Sequence, residues 1–245
     1  MRNLLIFMLL VAVFVFGKRS CHGSFLNFGG VSGSGPVQTE TRSANGFNAI
    51  ELEIAGDVEV TVGENYSVEV SAQQNLLPLL KTVVENGALR IYSDDNINSS
   101  EGIKIKVIAP AFDRFEVGGS GTLRVVTAIR AEKMEMSIAG SGDIFSLISD
   151  FGALSTSIAG SGTISLGGKA DDMSADISGS GDVKAKNLSA NSLKVSISGS
   201  GTVTSDVTTN LNASISGSGD VFYSGTPSVE TSVSGSGTVK KIEAH

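Results

Sequence analysis

The sequence predicts an all-β parallel solenoid, a stack of coils of about 20 residues each. Three observations predict it: a Gly-Ser-Gly triplet recurs seven times, its spacing is nearly constant, and aliphatic residues keep fixed positions around it. The triplets begin at Gly119, Gly140, Gly160, Gly179, Gly199, Gly217 and Gly235, so successive triplets lie 18 to 21 residues apart. Such a period is typical of solenoids, in which each coil buries its apolar face only against its neighbours.

The chain begins with a segment typical of a secretory signal peptide, which we assign to residues 1–20. Arg2 precedes an apolar run from Leu4 to Phe16, and this run is too short to span a bilayer. The sequence therefore predicts an exported protein of the periplasm, the outer membrane or the cell surface.

The only cysteine, Cys21, follows that run, and a lone cysteine cannot form an internal disulfide. Its position suggests the acylated first residue of a bacterial lipoprotein. Lys18 and Arg19, however, stand where such signals carry small or aliphatic residues. Cleavage after Gly17 is the alternative and would leave a free thiol, so lipid anchoring through Cys21 stays open.

The charge of the chain restricts its partners. The formal net charge is -7, and the basic residues form no cluster along the sequence. An acidic surface without a basic patch argues against nucleic acid and against an anionic membrane face. Contact with a membrane is expected only through a lipid anchor.

Residues 21–36 are rich in Gly and Ser, which predicts a tether, and residues 37–112 are predicted to be an irregular β portion. Alternating apolar residues predict a strand at 37–42, strands within 47–62, and others at 66–71, 81–85, 88–93 and 103–107. Asn86-Gly87 predicts a tight hairpin, whereas Pro78 excludes a central strand. Ile54 to Val58 resembles an incomplete copy of the repeat. This portion is expected to cover the open end of the stack.

Residues 113–242 are predicted to be the regular β-helix. Two positions around each triplet are always aliphatic. The residue two before the first glycine is Val117, Ile138, Ile158, Ile177, Ile197, Ile215 or Val233. The residue four after the first glycine is Leu123, Ile144, Ile164, Val183, Val203, Val221 or Val239. Even offsets share one face of a strand, so both sets are expected to point inward. The triplet serine then faces out. The glycines are expected to mark a corner or to let the opposite wall approach closely.

The residue after each triplet alternates without exception, giving Thr122, Asp143, Thr163, Asp182, Thr202, Asp220 and Thr238. Stacking would place these residues about 4.8 Å apart on the outside of the coils. Threonine between carboxylates separates like charges and can donate a hydrogen bond. One interpretation is a solubilising row, and the other is a binding row for a ligand.

Metal and cofactor sites are not predicted. Aspartates on every second coil would lie about 9–10 Å apart, too far to share a calcium ion. Nucleophilic catalysis is not indicated either, because the two histidines, His22 and His245, lie in the tether and at the last position.

A second hypothesis is a carbohydrate-active enzyme, lyase-like or hydrolase-like, with a site in the N-terminal half around Asp94, Asp95, Glu101 and Arg114. The sequence contains no Trp and only three Tyr to stack against sugars. This composition disfavours the enzyme without excluding it.

Several phrases together resemble a known family. They are Glu40-Thr41-Arg42, Gly46-Phe47-Asn48-Ala49-Ile50, Asn75-Leu76-Leu77-Pro78, Gly87-Ala88-Leu89-Arg90-Ile91-Tyr92 and the tandem Ile-Ser-Gly-Ser-Gly-Asp copies. The chain resembles the putative autotransporter adhesin, head GIN domain family over about residues 37–242. The resemblance implies a right-handed parallel β-helix, similar to pectin-lyase-like folds but without their catalytic residues, and it carries over no site residues.

The leading functional hypothesis is therefore a non-enzymatic adhesion or binding module of the cell envelope. It would present the Ser, Thr and Asp rows to an unknown glycan or protein ligand. A purely structural role in the envelope stays open, and an exposed end coil could pair with another subunit.

Overall fold

The computed structural model describes residues 30–243. The predicted signal peptide, Cys21, His22 and His245 lie outside the described residues. Within the described part the chain forms strands and one short 3-10 helix, Leu77–Leu79, at the position where Pro78 predicted a break. No helix in residues 30–243 has the length and apolar character needed to cross a bilayer.

Nineteen strands make up the described fold. They are β1 Val31–Ser32, β2 Val37–Arg42, β3 Ala49–Leu52, β4 Asp57–Val62, β5 Ser67–Gln73, β6 Lys81–Glu85, β7 Ala88–Tyr92, β8 Ile97–Asn98, β9 Lys104–Ala109, β10 Arg114–Val117, β11 Thr122–Val125, β12 Ile129–Gly140, β13 Asp143–Gly160, β14 Thr163–Gly179, β15 Asp182–Gly199, β16 Thr202–Gly217, β17 Asp220–Gly225, β18 Ser228–Gly235 and β19 Thr238–Lys241.

The repeats stack as parallel coils, which confirms the predicted parallel β-helix. Each strand from β10 to β17 pairs in parallel with the equivalent strand of the next coil. The register places Ile138 beside Ile158, and Ile158 beside Ile177. The sequence period is therefore the length of one coil.

The first coils are not stacked in chain order. β3 pairs in parallel with β7 on one side and with β10 on the other, and β4 lies in the same way between β9 and β11. Residues 49–62 therefore form an inner coil, which lies between the outermost coil of β7 and β9 and the coil of β10 and β11. The chain builds the inner coil first and the outermost coil second, and then continues the stack on the opposite side of the inner coil. The incomplete repeat at Ile54 to Val58 lies within that inner coil, as the sequence suggested.

Antiparallel strands cover the N-terminal end of the stack. β5 pairs antiparallel with β9 and with β2, and β6 pairs antiparallel with β7. The β6–β7 hairpin turns at Asn86 and Gly87, whose φ angles of 50° and 78° match the predicted tight turn. Residues 30–36, part of the predicted tether, include β1, which pairs with β8.

The two predicted aliphatic sets form the core of the coils. From Val117 to Ile215, and from Leu123 to Val221, every member is at most 1% exposed. The triplet serines are all exposed, also as predicted. At about 1.5–3 kcal/mol per buried aliphatic side chain, these rows dominate the stability of the stack.

The expected reason for the triplet glycines needs a correction. A Cβ at Gly181 would lie 2.5 Å from Cγ2 of Ile158 and 2.8 Å from the carbonyl oxygen of Gly162, both in the preceding coil. A Cβ at Gly140, where φ is 148°, would lie 2.5 Å from the carbonyl oxygen of Gly119. The close approach is therefore between successive coils and not between opposite walls.

Candidate functional site

The predicted Thr/Asp row is continuous in the structure. In register order its members are Asp57, Thr122, Asp143, Thr163, Asp182, Thr202, Asp220 and Thr238. Asp57, in the incomplete repeat, extends the alternation by one coil beyond the predicted members. Lys104 lies beside Asp57 on the outermost coil.

The contacts within this row show how threonine accommodates the carboxylates. The backbone N–H and the hydroxyl of Thr238 both donate to Oδ1 of Asp220, at 3.0 and 2.7 Å. Lys184 Nζ lies 3.7 Å from Asp182 on the same strand. Among residues 30–243, no group of three acidic, histidine or cysteine side chains converges to hold a metal ion. The geometry of the row suits hydrogen bonding to a surface ligand.

A second feature is a groove of about 890 Å³ that runs along the stack on β12–β16. We call it the long groove. Its floor lies over an apolar row formed by Met134, Leu154, Met173 and Leu193, which are direct neighbours in the register and are only 2–3% exposed. From Asp113 to Asn212 the groove crosses five inter-strand steps, or roughly 24 Å at about 4.8 Å per step.

Mostly polar side chains form the two rims of the long groove. One rim carries Lys133, Ala153, Asp172, Ser192 and Asn210, and the other carries Glu135, Ser155, Ser174, Lys194 and Asn212. The lining contains three acidic and three basic side chains and no aromatic ring. This balance of charge does not favour a polyanion or a polycation, and the absence of rings removes the usual stacking surface for sugars.

The N-terminal end of the long groove holds its most polar group of residues. Asn48 donates a hydrogen bond to Asp113, and Nη2 of Arg114 donates to Oε1 of Glu51 at 3.1 Å. Nε of Arg114 is buried without a hydrogen-bond partner among the described residues. The guanidinium is thus only partly satisfied where it meets the groove, next to the coil that carries Lys133.

A family model described as putative auto-transporter adhesin, head GIN domain matches residues 46–227, most of the chain. The chain belongs to this family. The matched range covers the inner coil, the N-terminal hairpin and the regular coils up to β17.

Solved structures resemble this head GIN domain. A putative adhesin from Bacteroides fragilis NCTC 9343 is 24% identical, with a TM-score of 0.80, over 87% of this chain and 100% of that chain. A putative lipid binding protein from Parabacteroides distasonis ATCC 8503 is 26% identical, with a TM-score of 0.75, over 87% and 99%. A putative adhesin from the same organism is 23% identical, with a TM-score of 0.68, over 86% and 99%. No curated protein matches the chain significantly.

The residues of the enzyme hypothesis are dispersed over this head GIN domain. Asp94 and Asp95 are exposed beyond the end of β7, and Asp94 forms an ion pair with Lys81. The hydrogen bond to Asp94 raises the pKa of Lys81 above its usual value. Glu101 is exposed in a separate loop. Arg114 begins β10, two strands away from β7 in the sheet, and lines the long groove without the other three.

The long groove was not predicted, although a signal for it exists in the sequence. In six of the seven triplets, all but the first, the residue six before the first glycine is aliphatic: Met134, Leu154, Met173, Leu193, Leu211 or Val229. This third aliphatic row was overlooked because its members precede the phrase that defines the repeat. The members of this row from Met134 to Leu211 are buried, and spacing alone does not specify whether the exposed residues on either side of them enclose a groove.

Proposed function

We propose that this head GIN domain is an exported, non-enzymatic binding module of the cell envelope that holds an elongated, partly apolar ligand in the long groove. The observation that carries the proposal is the groove itself, roughly 24 Å long, which lies between two mostly polar rims and directly over the buried Met/Leu row. Binding sites are commonly concave and apolar, with a few polar groups that fix orientation. Methionine adapts its shape to irregular apolar ligands.

An acyl chain is the ligand class that we assign to this groove. It would lie across the stacked coils between the two rims, and the buried side chains of Met134, Leu154, Met173 and Leu193 would turn toward it on binding. The guanidinium of Arg114, whose side chain is 36% exposed at the polar end, supplies a positive charge for an anionic head group. The similarity to a structure described as a putative lipid binding protein supports the same class.

The test uses residues 21–245 with Cys21→Ser, because these residues include the whole described fold and the change removes the free thiol. The probe is cis-parinaric acid, whose fluorescence rises when its chain enters an apolar site. Ser155 and Ser157 are both exposed on β13, but only Ser155 lines the long groove. Ser155→Arg is expected to weaken probe binding about tenfold or more, because it fills the groove with a charged side chain. Ser157→Arg is the matched control and is expected to leave binding unchanged.

Each result of this titration decides the proposal. Saturable binding that is lost in Ser155→Arg and kept in Ser157→Arg supports it. No saturable binding, or equal binding by both variants, removes the acyl-chain assignment. Cleavage of polysaccharides by the same protein would overturn the non-enzymatic assignment.

A second candidate is adhesion through the Thr/Asp row, favoured by its regular alternation over eight coils. A glycan array would identify a ligand. Joint replacement of Asp143, Asp182 and Asp220 by Asn keeps the shape of the row and removes three charges. Loss of glycan binding would support the row as the site, whereas unchanged binding would refute it.

A further inference from the structure

The last coil of the described fold, β18 and β19, has an open outer side. We call it the end coil. Val229 and Val233 are 38% and 43% exposed, whereas their equivalents in the preceding coil, Leu211 and Ile215, are each 1% exposed. The difference arises because a core position on a solenoid is buried only when a further coil lies on it.

The backbone of the end coil is open on the same side. β18 pairs with β16, and β19 pairs with β17, and within residues 30–243 neither strand has a second partner. An unpaired strand edge beside exposed valines is a site for pairing with another chain. The N-terminal end differs, because the antiparallel strands β2, β5 and β6 lie over its coils.

We propose that a second copy of this chain binds to the end coil. The two copies form a tail-to-tail dimer whose two-fold axis passes near Ser236. The rotation places β18 of each copy antiparallel to β19 of the other, so that both open edges gain backbone hydrogen bonds. Val233 of one copy then faces Val239 of the other. Both belong to the inward rows, so the core continues across the contact.

Charge on the end coil selects this arrangement. Glu230 lies on the outer face of β18 and accepts a hydrogen bond from Asn212 at 3.3 Å, and Lys240 and Lys241 lie on β19. Pairing β18 with β18 would bring the Glu230 side chains of the two copies together, and pairing β19 with β19 would bring lysines together. Pairing β18 with β19 makes Glu230 a diagonal neighbour of Lys240 of the second copy, twice per dimer.

The experiment measures self-association of residues 21–245 with Cys21→Ser by sedimentation equilibrium over a wide range of concentrations. Any tag is placed at the N-terminus, away from the end coil. A monomer–dimer equilibrium that stops at two copies is expected. Monomer throughout, or an open series of larger species from head-to-tail stacking, would overturn the proposal.

Charge exchange tests the pairing itself. Glu230→Lys and Lys240→Glu are each expected to raise the dimer Kd about tenfold, because each replaces two attractions by two repulsions. The variant that carries both Glu230→Lys and Lys240→Glu is expected to have a dimer Kd within about threefold of the parent value. Glu132→Lys makes the same charge change on an exposed residue of β12 and is expected to have no effect. Failure of the double exchange to restore the dimer would contradict the pairing of β18 with β19.

Val233→Lys tests the apolar part of the contact. Because Val233 is 43% exposed in the single chain, the variant is expected to keep its circular dichroism spectrum and its unfolding midpoint as a monomer. Its dimer is expected to weaken at least about 30-fold, since a lysine would be buried against Val239 of the second copy. A dimer that tolerates this change does not form through the end coil.

Discussion

At the scale of single residues, the second glycine of each triplet allows successive coils to stack. Gly181 is buried, and the nearest atoms to an added Cβ belong to Ile158 and Gly162 of the preceding coil. We expect Gly181→Ala to lower the free energy of unfolding by about 2–3 kcal/mol, because one obstacle is backbone and cannot rotate away. Urea denaturation monitored by circular dichroism measures the change.

Ser180 provides the matched control, since it is the exposed serine beside Gly181 in the same triplet. Ser180→Ala is expected to change the free energy of unfolding by less than about 0.5 kcal/mol. Equal effects of the two substitutions would show that the triplet is sensitive to any change and not to the missing Cβ.

At the scale of secondary-structure elements, the β6–β7 hairpin holds the strand that begins the outermost coil. Its turn residues, Asn86 and Gly87, both have positive φ. Joint replacement of Asn86 and Gly87 by Ala is expected to lower the free energy of unfolding by about 1–2 kcal/mol, because alanine is strained in that region. Glu85→Ala, an exposed change just before the turn, is the control and should cost less than about 0.5 kcal/mol. The same urea titration compares the two variants. An unchanged free energy of unfolding in the double variant would mean that the turn has another conformation.

At the scale of the whole molecule, the Thr/Asp alternation repeats over two coils. Deletion of residues 163–201 removes two coils and brings Thr202 beside Asp143, so the alternation is kept. Deletion of residues 163–181 removes one coil and brings Asp182 beside Asp143. We expect the one-coil deletion alone to gain about 0.5–1 kcal/mol of stability when salt is added, because salt screens the new repulsion.

Urea titrations of both deletions at low and high salt measure this difference. Both are expected to fold with lower m-values than the parent, since less surface is buried. An equal response to salt would show that the alternation does not serve to separate charges.

The local sequence pattern was enough to predict the parallel coils, their length, the inward rows at Ile177 and Val183, and the outward row at Asp182. Each follows from a local rule, because the parity of a strand and the period of a repeat are set within about 20 residues. Even the incomplete copy at Gly56 could be recognised, because its aliphatic spacing survives.

The order of the first coils, the long groove and the open end coil depend on contacts between residues far apart in the chain, so the local pattern did not predict them. β3 lies between β7 and β10 because of pairings between residues distant in sequence. The long groove lies over the buried Met134 and Leu193, and it forms because rim residues of several coils are brought side by side. Val233 has the sequence environment of Ile215 and yet is exposed, because burial in a solenoid depends on the next coil. The local pattern specifies the coil, and its neighbours decide which surfaces remain free to bind.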